Sequence, residues 1–370
     1  MIADICFTAD WLDRKKKELK GVDPGLLERA LHAFALLGLL AESDLKFVFK
    51  GGTSLLLHVP VIRRLSIDID ILCSAPPEEL DRILEEVAKV PPFIRYAEDE
   101  RGSRGLPEWR HFKFFYTPLV TGNPAPYVFL DVVEEPHVPH DVIVKPITPE
   151  ILEIRREILV TIPTVESLLA DKLTAFAPRT TGVSFAPANG NPADTMQIVK
   201  QLFDVGELFN LAEDLTEARR VYQKIFDLEN FYRGGGFTPA DALEDTLQAS
   251  LSLSLHRLKG MKDTPEALML EDGTRKLASH LVNHRFNPDM AKLAAAKAAL
   301  VALLIANEES GSSLGVFKPT PLPEELRQLE IFGEWERLNR LKATNPEAFW
   351  YWYQASRLGD IDNKNGELSL

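Results

Sequence analysis

Around residues 65–71 hydrophobic and polar positions alternate strictly. Leu65, Ile67, Ile69 and Ile71 fall on one side of an extended chain, and Ser66, Asp68 and Asp70 on the other. A period of two predicts a half-buried strand that carries two carboxylates on its open face. At ~3.3 Å per residue those side chains start ~6.6 Å apart. With an effective dielectric of about 20, their repulsion is on the order of 2.5 kcal/mol, so a cation is expected between them. Upstream, Phe47 to Lys50 reads as a short strand and Gly51-Gly52 as a turn that lets backbone N–H groups approach a ligand. Residues 53–58 then read as the start of a helix whose positive end suits phosphate.

The remaining periodicity places helices before this unit, strands after it, and helices again to the end. Residues 1–45 are helical in pattern, with an amphipathic helix from Pro24 to about Ala41. The basic run Arg14-Lys15-Lys16-Lys17 is either a solvated helix face or an RNA contact. Pro76-Pro77 opens a helix to about Lys89, with Leu80, Ile83, Leu84 and Val87 on one face. Residues 93–145 become strand-like, with turns at 102–107 and 121–126 and the clearest strands at 111–116 and 127–133. In the second of these, Asp131 shares a face with Tyr127, Phe129 and Val133, as either a functional acid or one salt-bridged to an arginine.

From Thr164 onward helices are expected at 167–176, with Asp171 and Lys172, and at 197–210, with Lys200 and Asp204. Further helices are expected at 211–232, 238–258, 264–283, 288–306, 323–342 and 346–357. Trp350, Tyr351, Trp352 and Tyr353 form an aromatic cluster suited to core packing or to stacking on bases. The tail from Asp360 is polar and expected to be mobile.

A chain of 370 residues, 45% of them hydrophobic, has ample material for two domains. Cys6 and Cys73 are the only cysteines, which gives no disulfide framework and no Cys metal motif, so a reducing, cytoplasmic setting is expected. The apolar stretches 30–41 and 290–306 are short for a membrane span, and no export signal is visible, so no membrane partner is expected. A net charge of −13 argues against indiscriminate nucleic-acid binding but leaves room for a local basic groove.

The segment FVFKGGTSLLLHVPVIRRLSIDIDIL resembles the signature of the polymerase-beta-like nucleotidyltransferases. More closely it resembles the AbiEii family of type IV toxins, whose motif runs Gly-Gly-Thr, then Arg-x-Ser-x-Asp-x-Asp; the matching residues are Gly51, Gly52, Thr53, Arg64, Ser66, Asp68 and Asp70. Thr53 stands where Ser is commoner in the superfamily, and the spacer of 14 residues before Asp68 is longer than its usual pattern. The stretch LLADKLTAFAPRTTGV followed by IVKQLFDVGELF carries a second likeness, a helix with Asp-Lys-x-x-Ala and a later basic-x-x-x-Asp segment.

This resemblance implies an α+β fold: a polymerase-beta-like nucleotidyltransferase core with a mixed sheet, then an all-α C-terminal domain. The expected boundaries are 1–45 for an N-terminal helical segment, 46–160 for the core, 161–310 for a helical domain completing the active cleft, and 311–370 for a C-terminal extension and tail. It implies Asp68 and Asp70, with Asp131 as third carboxylate, holding two Mg²⁺ (or Mn²⁺) ions about 3.5–4 Å apart. Gly51, Gly52, Thr53, Arg64 and Ser66 would bind the nucleotide, Lys172 would offset charge on the triphosphate, and Asp204 would lie near the catalytic cleft. The implied reaction is transfer of NMP from an NTP to an acceptor hydroxyl on RNA, with the 3′ end of tRNA one such acceptor. The implied role is the toxin of a toxin–antitoxin or phage-defence pair, with a cognate antitoxin as partner. A protein-nucleotidylating enzyme and a non-catalytic nucleotide-binding scaffold are the competing readings.

Overall fold

The structure, a computed structural model, describes residues 1–20, 22–99, 109–120, 122, 124–135, 137–187 and 190–365, with backbone only from 359. The turn expected at 102–107 lies outside the described residues, and so does part of the turn at 121–126. The chain forms two compact units, Met1–Thr164 with Ser279–Arg285, and Val165–Ala278 with Phe286–Leu370.

In the first unit α1 (Ala9–Glu18) and α2 (Pro24–Glu42) precede β1 (Phe47–Lys50), the single-turn helix α3 (Gly51–Ser54) and β2 (Ile69–Cys73). Then follow α4 (Pro77–Ala88), β3 (Phe93–Glu98), β4 (Trp109–Tyr116), β5 (Tyr127–Glu134), β6 (Val142–Pro146) and β7 (Leu159–Pro163). The main sheet has the order β1-β2-β5-β4-β3, and β6 and β7 form a separate two-stranded sheet. Only β2 and β5 run parallel; the other neighbours in the main sheet are antiparallel. The expected mixed sheet is therefore present.

Alternation decides which sheet face is buried. Phe49, Ile69, Ile71, Phe112, Phe114, Leu130 and Val132 point inward and are fully buried, together with Leu31, Phe34 and Leu37 of α2 and Leu80, Ile83 and Leu84 of α4. Asp23 caps α2 by accepting a hydrogen bond from Leu26 N at 2.8 Å, and Pro24 fills its first turn. At 19 residues with mean hydropathy 1.3, α2 alone among the described helices has the length and composition to cross a membrane, yet 67% of that stretch is buried in the protein. Its polar members are spent internally. Glu28 accepts hydrogen bonds from Leu119 N and Val120 N, and His32 stacks on Tyr116 at 3.6 Å between ring centroids. Burial pulls the His32 pKa down to about 4, so that imidazole is neutral in the core.

Two expectations in this unit change. The acidic strand begins at Ile69, not at Leu65, because residues 63–65 pair elsewhere: Leu65 N donates to His280 O at 2.9 Å and Val282 N to Arg63 O at 2.9 Å. The helix expected at 53–58 is instead one α-turn, α3, followed by a 3-10 turn at Leu55–Leu57. The basic run lies within α1 and is held in ion pairs in part, Arg14 with Glu153 at 2.8 Å and Lys15 with Glu18 at 3.0 Å.

The second unit is helical: α5 (Val165–Ala175), α6 (Thr195–Leu211), α7 (Leu215–Tyr232), α8 (Pro239–Leu255), α9 (Pro265–Leu277), α10 (Pro288–Ala306), α11 (Pro323–Gln328), α12 (Leu341–Thr344) and α13 (Pro346–Asn365). The Ala-rich α10 packs against α6, α8 and α13. The long helix expected at 323–342 is broken because Asn339 folds back on the chain, accepting from Ile331 N at 3.0 Å and donating to Ile331 O at 2.7 Å. The aromatic cluster is mostly packing: Trp352 is fully buried with Nε1 donating to Ser254 Oγ at 2.9 Å, and Tyr351 meets Phe209 edge-on at 5.1 Å. Where the polar composition from Asp360 predicts a loose tail, α13 continues to Asn365.

Candidate active site

The sequence brings its motif together through strand register. Lys50 at the end of β1 stands opposite Asp70 on β2, and Asp70 stands opposite Asp131 on the parallel strand β5. Neighbouring strands lie ~4.8 Å apart, so Asp70 and Asp131 project side by side on the open face. Asp68 lies one residue before β2 begins, and all three carboxylates are half-buried. Lys50, as the register partner of Asp70, places a cation beside these carboxylates.

Gly51 is the tightest point of the turn. It adopts φ +79°, and a Cβ placed there would stand 2.1 Å from Asp70 Oδ2. Only glycine satisfies both demands. Gly51→Ala is therefore expected to cost at least about 2 kcal/mol of stability and to lower transfer by displacing the Asp70 carboxylate. Thermal melting and an activity assay on the same preparation check this; a variant that melts and turns over like the parent would refute the close approach.

Thr53 is fully buried, and its hydroxyl donates to the Asp68 carbonyl at 2.6 Å. This bond ties the residue after the glycine turn to the entrance of the acidic strand and fixes where Asp68 sits. Ser54 closes the turn by donating to Gly51 O at 2.8 Å. Ser66 is 4% and Arg64 2% exposed, and one Arg64 nitrogen, Nη1, donates to Leu65 O at 3.1 Å. Since α3 is a single turn, any phosphate affinity here comes from individual N–H groups of the turn and not from a long helix dipole.

Asp131 is partnered by a histidine and not by the arginine of the alternative sequence reading. His111 Nδ1 lies 2.7 Å from Asp131 Oδ1, and the two residues are register partners on β4 and β5. His111 and Lys50 were not legible as site residues, because the pairings of β4 with β5 and of β1 with β2 that set them beside Asp131 and Asp70 cannot be read from periodicity. The only available signal was that His111 and Asp131 each occupy an outward phase of a strand.

The donor set fits a hard divalent cation. It consists of carboxylate oxygens without Cys, and Mg²⁺ takes oxygen ligands while leaving positions for water and substrate phosphate. Among the described residues no group of three or more His, Cys, Asp or Glu side chains is already drawn together as a metal cage.

Lys172 and Asp204 belong to the second unit, on α5 and α6, which pack against each other. Asp204 is 0% and Lys172 only 7% exposed, and Lys172 Nζ pairs with Asp171 at 3.4 Å. Lys172 is thus a buried, paired lysine and not a solvated one.

A strand, a strained glycine turn and carboxylates aligned across two parallel strands of a mixed sheet make up the core of a nucleotidyltransferase. The sequence model of one family, described as "Nucleotidyl transferase AbiEii toxin, Type IV TA system", matches residues 35–300, and the chain belongs to that family. No curated protein matches it. Among solved structures it is similar to MenT4, a nucleotidyltransferase toxin from Mycobacterium tuberculosis H37Rv, at TM-score 0.51 and 15% identity over 93% of this chain and 98% of that one. It also matches JHP933 from Helicobacter pylori at TM-score 0.39 and 15% identity, over 75% of this chain and 92% of that one. The first likeness shows a shared fold.

Proposed function

We propose that this toxin-family nucleotidyltransferase moves a nucleoside monophosphate from an NTP to a hydroxyl of RNA, the tRNA 3′ end being a suitable acceptor. The observation that carries the reading is the register of Asp70 against Asp131, with Gly51 closed onto Asp70. Asp68, Asp70 and Asp131 are assigned to hold Mg²⁺ or Mn²⁺, which when bound supplies Lewis acidity to phosphoryl oxygens and neutralises their charge. Gly51 and Gly52 lend backbone N–H groups to the phosphates, and Arg64 and Ser66 are assigned to nucleotide binding beside them. Thr53 holds Asp68 in place through its carbonyl, and His111 orients Asp131. Lys172 is assigned to the triphosphate as a compact point charge, and Asp204 to the catalytic machinery. The physiological reading is a cytoplasmic toxin restrained by a cognate antitoxin, in a phage-defence or toxin–antitoxin pair.

The test is incubation with each α-labelled NTP, Mg²⁺ and total cell RNA or lysate. Label is expected in an RNase-sensitive band that weakens as salt rises, since phosphate contacts release counterions. Label in a protease-sensitive, RNase-resistant band would replace the RNA acceptor by a protein. No label with any NTP would leave a nucleotide-binding scaffold.

A further inference from the structure

The open face of the main sheet does not end at the carboxylates. In the same outward phase, β5 carries Tyr127 and Phe129, β4 carries Lys113 and Phe115, and β3 carries Arg95. A solvent-facing sheet surface is ordinarily polar, but here three aromatic rings run in series. Phe115 lies 5.6 Å from Tyr127, and Tyr127 5.0 Å from Phe129. Cations lie over them: the Arg95 guanidinium stands 3.4 Å above the Phe115 ring, and Lys113 Nζ lies 5.2 Å from the Tyr127 centroid while paired with Asp99 at 3.1 Å. Arg95 is exposed and Phe115 and Tyr127 are half-buried.

We propose that Arg95, Phe115 and Tyr127 form a stacking platform for the unpaired acceptor strand of RNA. The proposal rests on the RNA-acceptor reading above and assigns that reading a binding surface. Bases of single strands are held by stacking on aromatic rings and guanidinium planes, while nearby cations meet the phosphates. A guanidinium already stacked on Phe115 offers its outer plane to a base at little ordering cost. Tyr127 precedes Asp131 by four residues on one strand, about 13 Å at ~3.3 Å per residue. That span leaves room for a short run of nucleotides between a terminal hydroxyl at the carboxylates and a base on Tyr127. An acceptor with its terminal hydroxyl at the carboxylates would then lay its preceding nucleotides across Tyr127 and Phe115. Arg95 and Lys113 place positive charge on this face of a chain whose net charge is −13.

The experiment is fluorescence anisotropy with a short 5′-fluorescein single-stranded RNA on the full chain, together with steady-state transfer to the same RNA. Arg95→Ala and Phe115→Ala are each expected to weaken RNA binding and raise its KM by roughly 5–150-fold, the range of one lost stacking partner, with the KM for NTP unchanged. Phe115→Tyr keeps the ring and should bind like the parent, which separates stacking from loss of fold. Arg95→Lys keeps the charge without the plane and should bind more weakly than the parent. Parental affinity and KM in both alanine variants, with the parent still labelling RNA, would overturn the platform alone. A parent that neither binds nor labels RNA but labels protein would overturn the platform and the acceptor reading together.

Discussion

Asp70→Asn is expected to reduce nucleotidyl transfer by roughly 10³-fold or more, the scale of removing a preorganised electrostatic group from a phosphoryl-transfer centre. The reason lies in its neighbours. Asp70 stands between Lys50 and Asp131 in register, and its carboxylate oxygen fills the space that the missing Gly51 side chain leaves. Asparagine keeps that shape and removes one negative charge, so the fold should persist while the affinity for a divalent cation falls. Without ligand the variant should melt close to the parent, since the side-chain shape against Gly51 is kept. With Mg²⁺ and NTP at about 100 times Kd, the parent should gain about 2.7 kcal/mol, read as a rise in Tm, and the variant should gain little. An unchanged ligand-induced rise in Asp70→Asn, or near-parental turnover, would remove Asp70 from the metal and phosphate site. Asp68→Ala should lose the same rise, because Thr53 holds Asp68 at the entrance of the same strand.

The second large effect is expected at Lys172. If its ammonium offsets charge developing on the departing pyrophosphate, Lys172→Ala should lower turnover by about 10²–10³. From sequence alone this substitution looks harmless to stability, as truncating an exposed lysine is. The structure changes that expectation: Lys172 is 7% exposed and paired with Asp171. Removing one member of a largely buried ion pair destabilises, here by about 1–3 kcal/mol given partial exposure of the partner. Activity must therefore be measured well below the Tm of the variant, with folding checked by circular dichroism at the same temperature. Lys172→Arg keeps the charge in a different shape and should retain more activity than alanine. Turnover near parental in a folded Lys172→Ala protein would reduce the lysine to a structural ion-pair partner of α5.

The local pattern carried much of this protein. Period-two alternation marked the buried face of β2 and the existence of β4 and β5, since a pleated chain sends successive side chains to opposite sides. Proline preceded by Asp, Thr or Asn at helix starts marked α2, α8 and α10, because those residues satisfy or dispense with the first-turn N–H groups. Gly51-Gly52 followed by Asp-x-Asp marked where the chemistry would be sought. These are short-range constraints, and short-range constraints are written in the order of residues.

Partnership across the chain was left to the tertiary structure. The family resemblance named Asp131 as a third carboxylate beside the acidic pair, but periodicity alone shows neither its register with Asp70 nor its bond from His111; both follow from the strand order β1-β2-β5-β4-β3. Residues 65–68 have the alternation of a strand, but the backbone at 63–65 pairs with residues 280–282, more than two hundred positions away, so the sheet ladder starts only at Ile69. Burial of Lys172 depends likewise on the packing of α5 against α6 and α7, which the composition of α5 does not reveal. Side-chain periodicity fixes which way a residue faces within its own element. What it faces is settled by hydrogen-bond register and packing between elements distant in sequence.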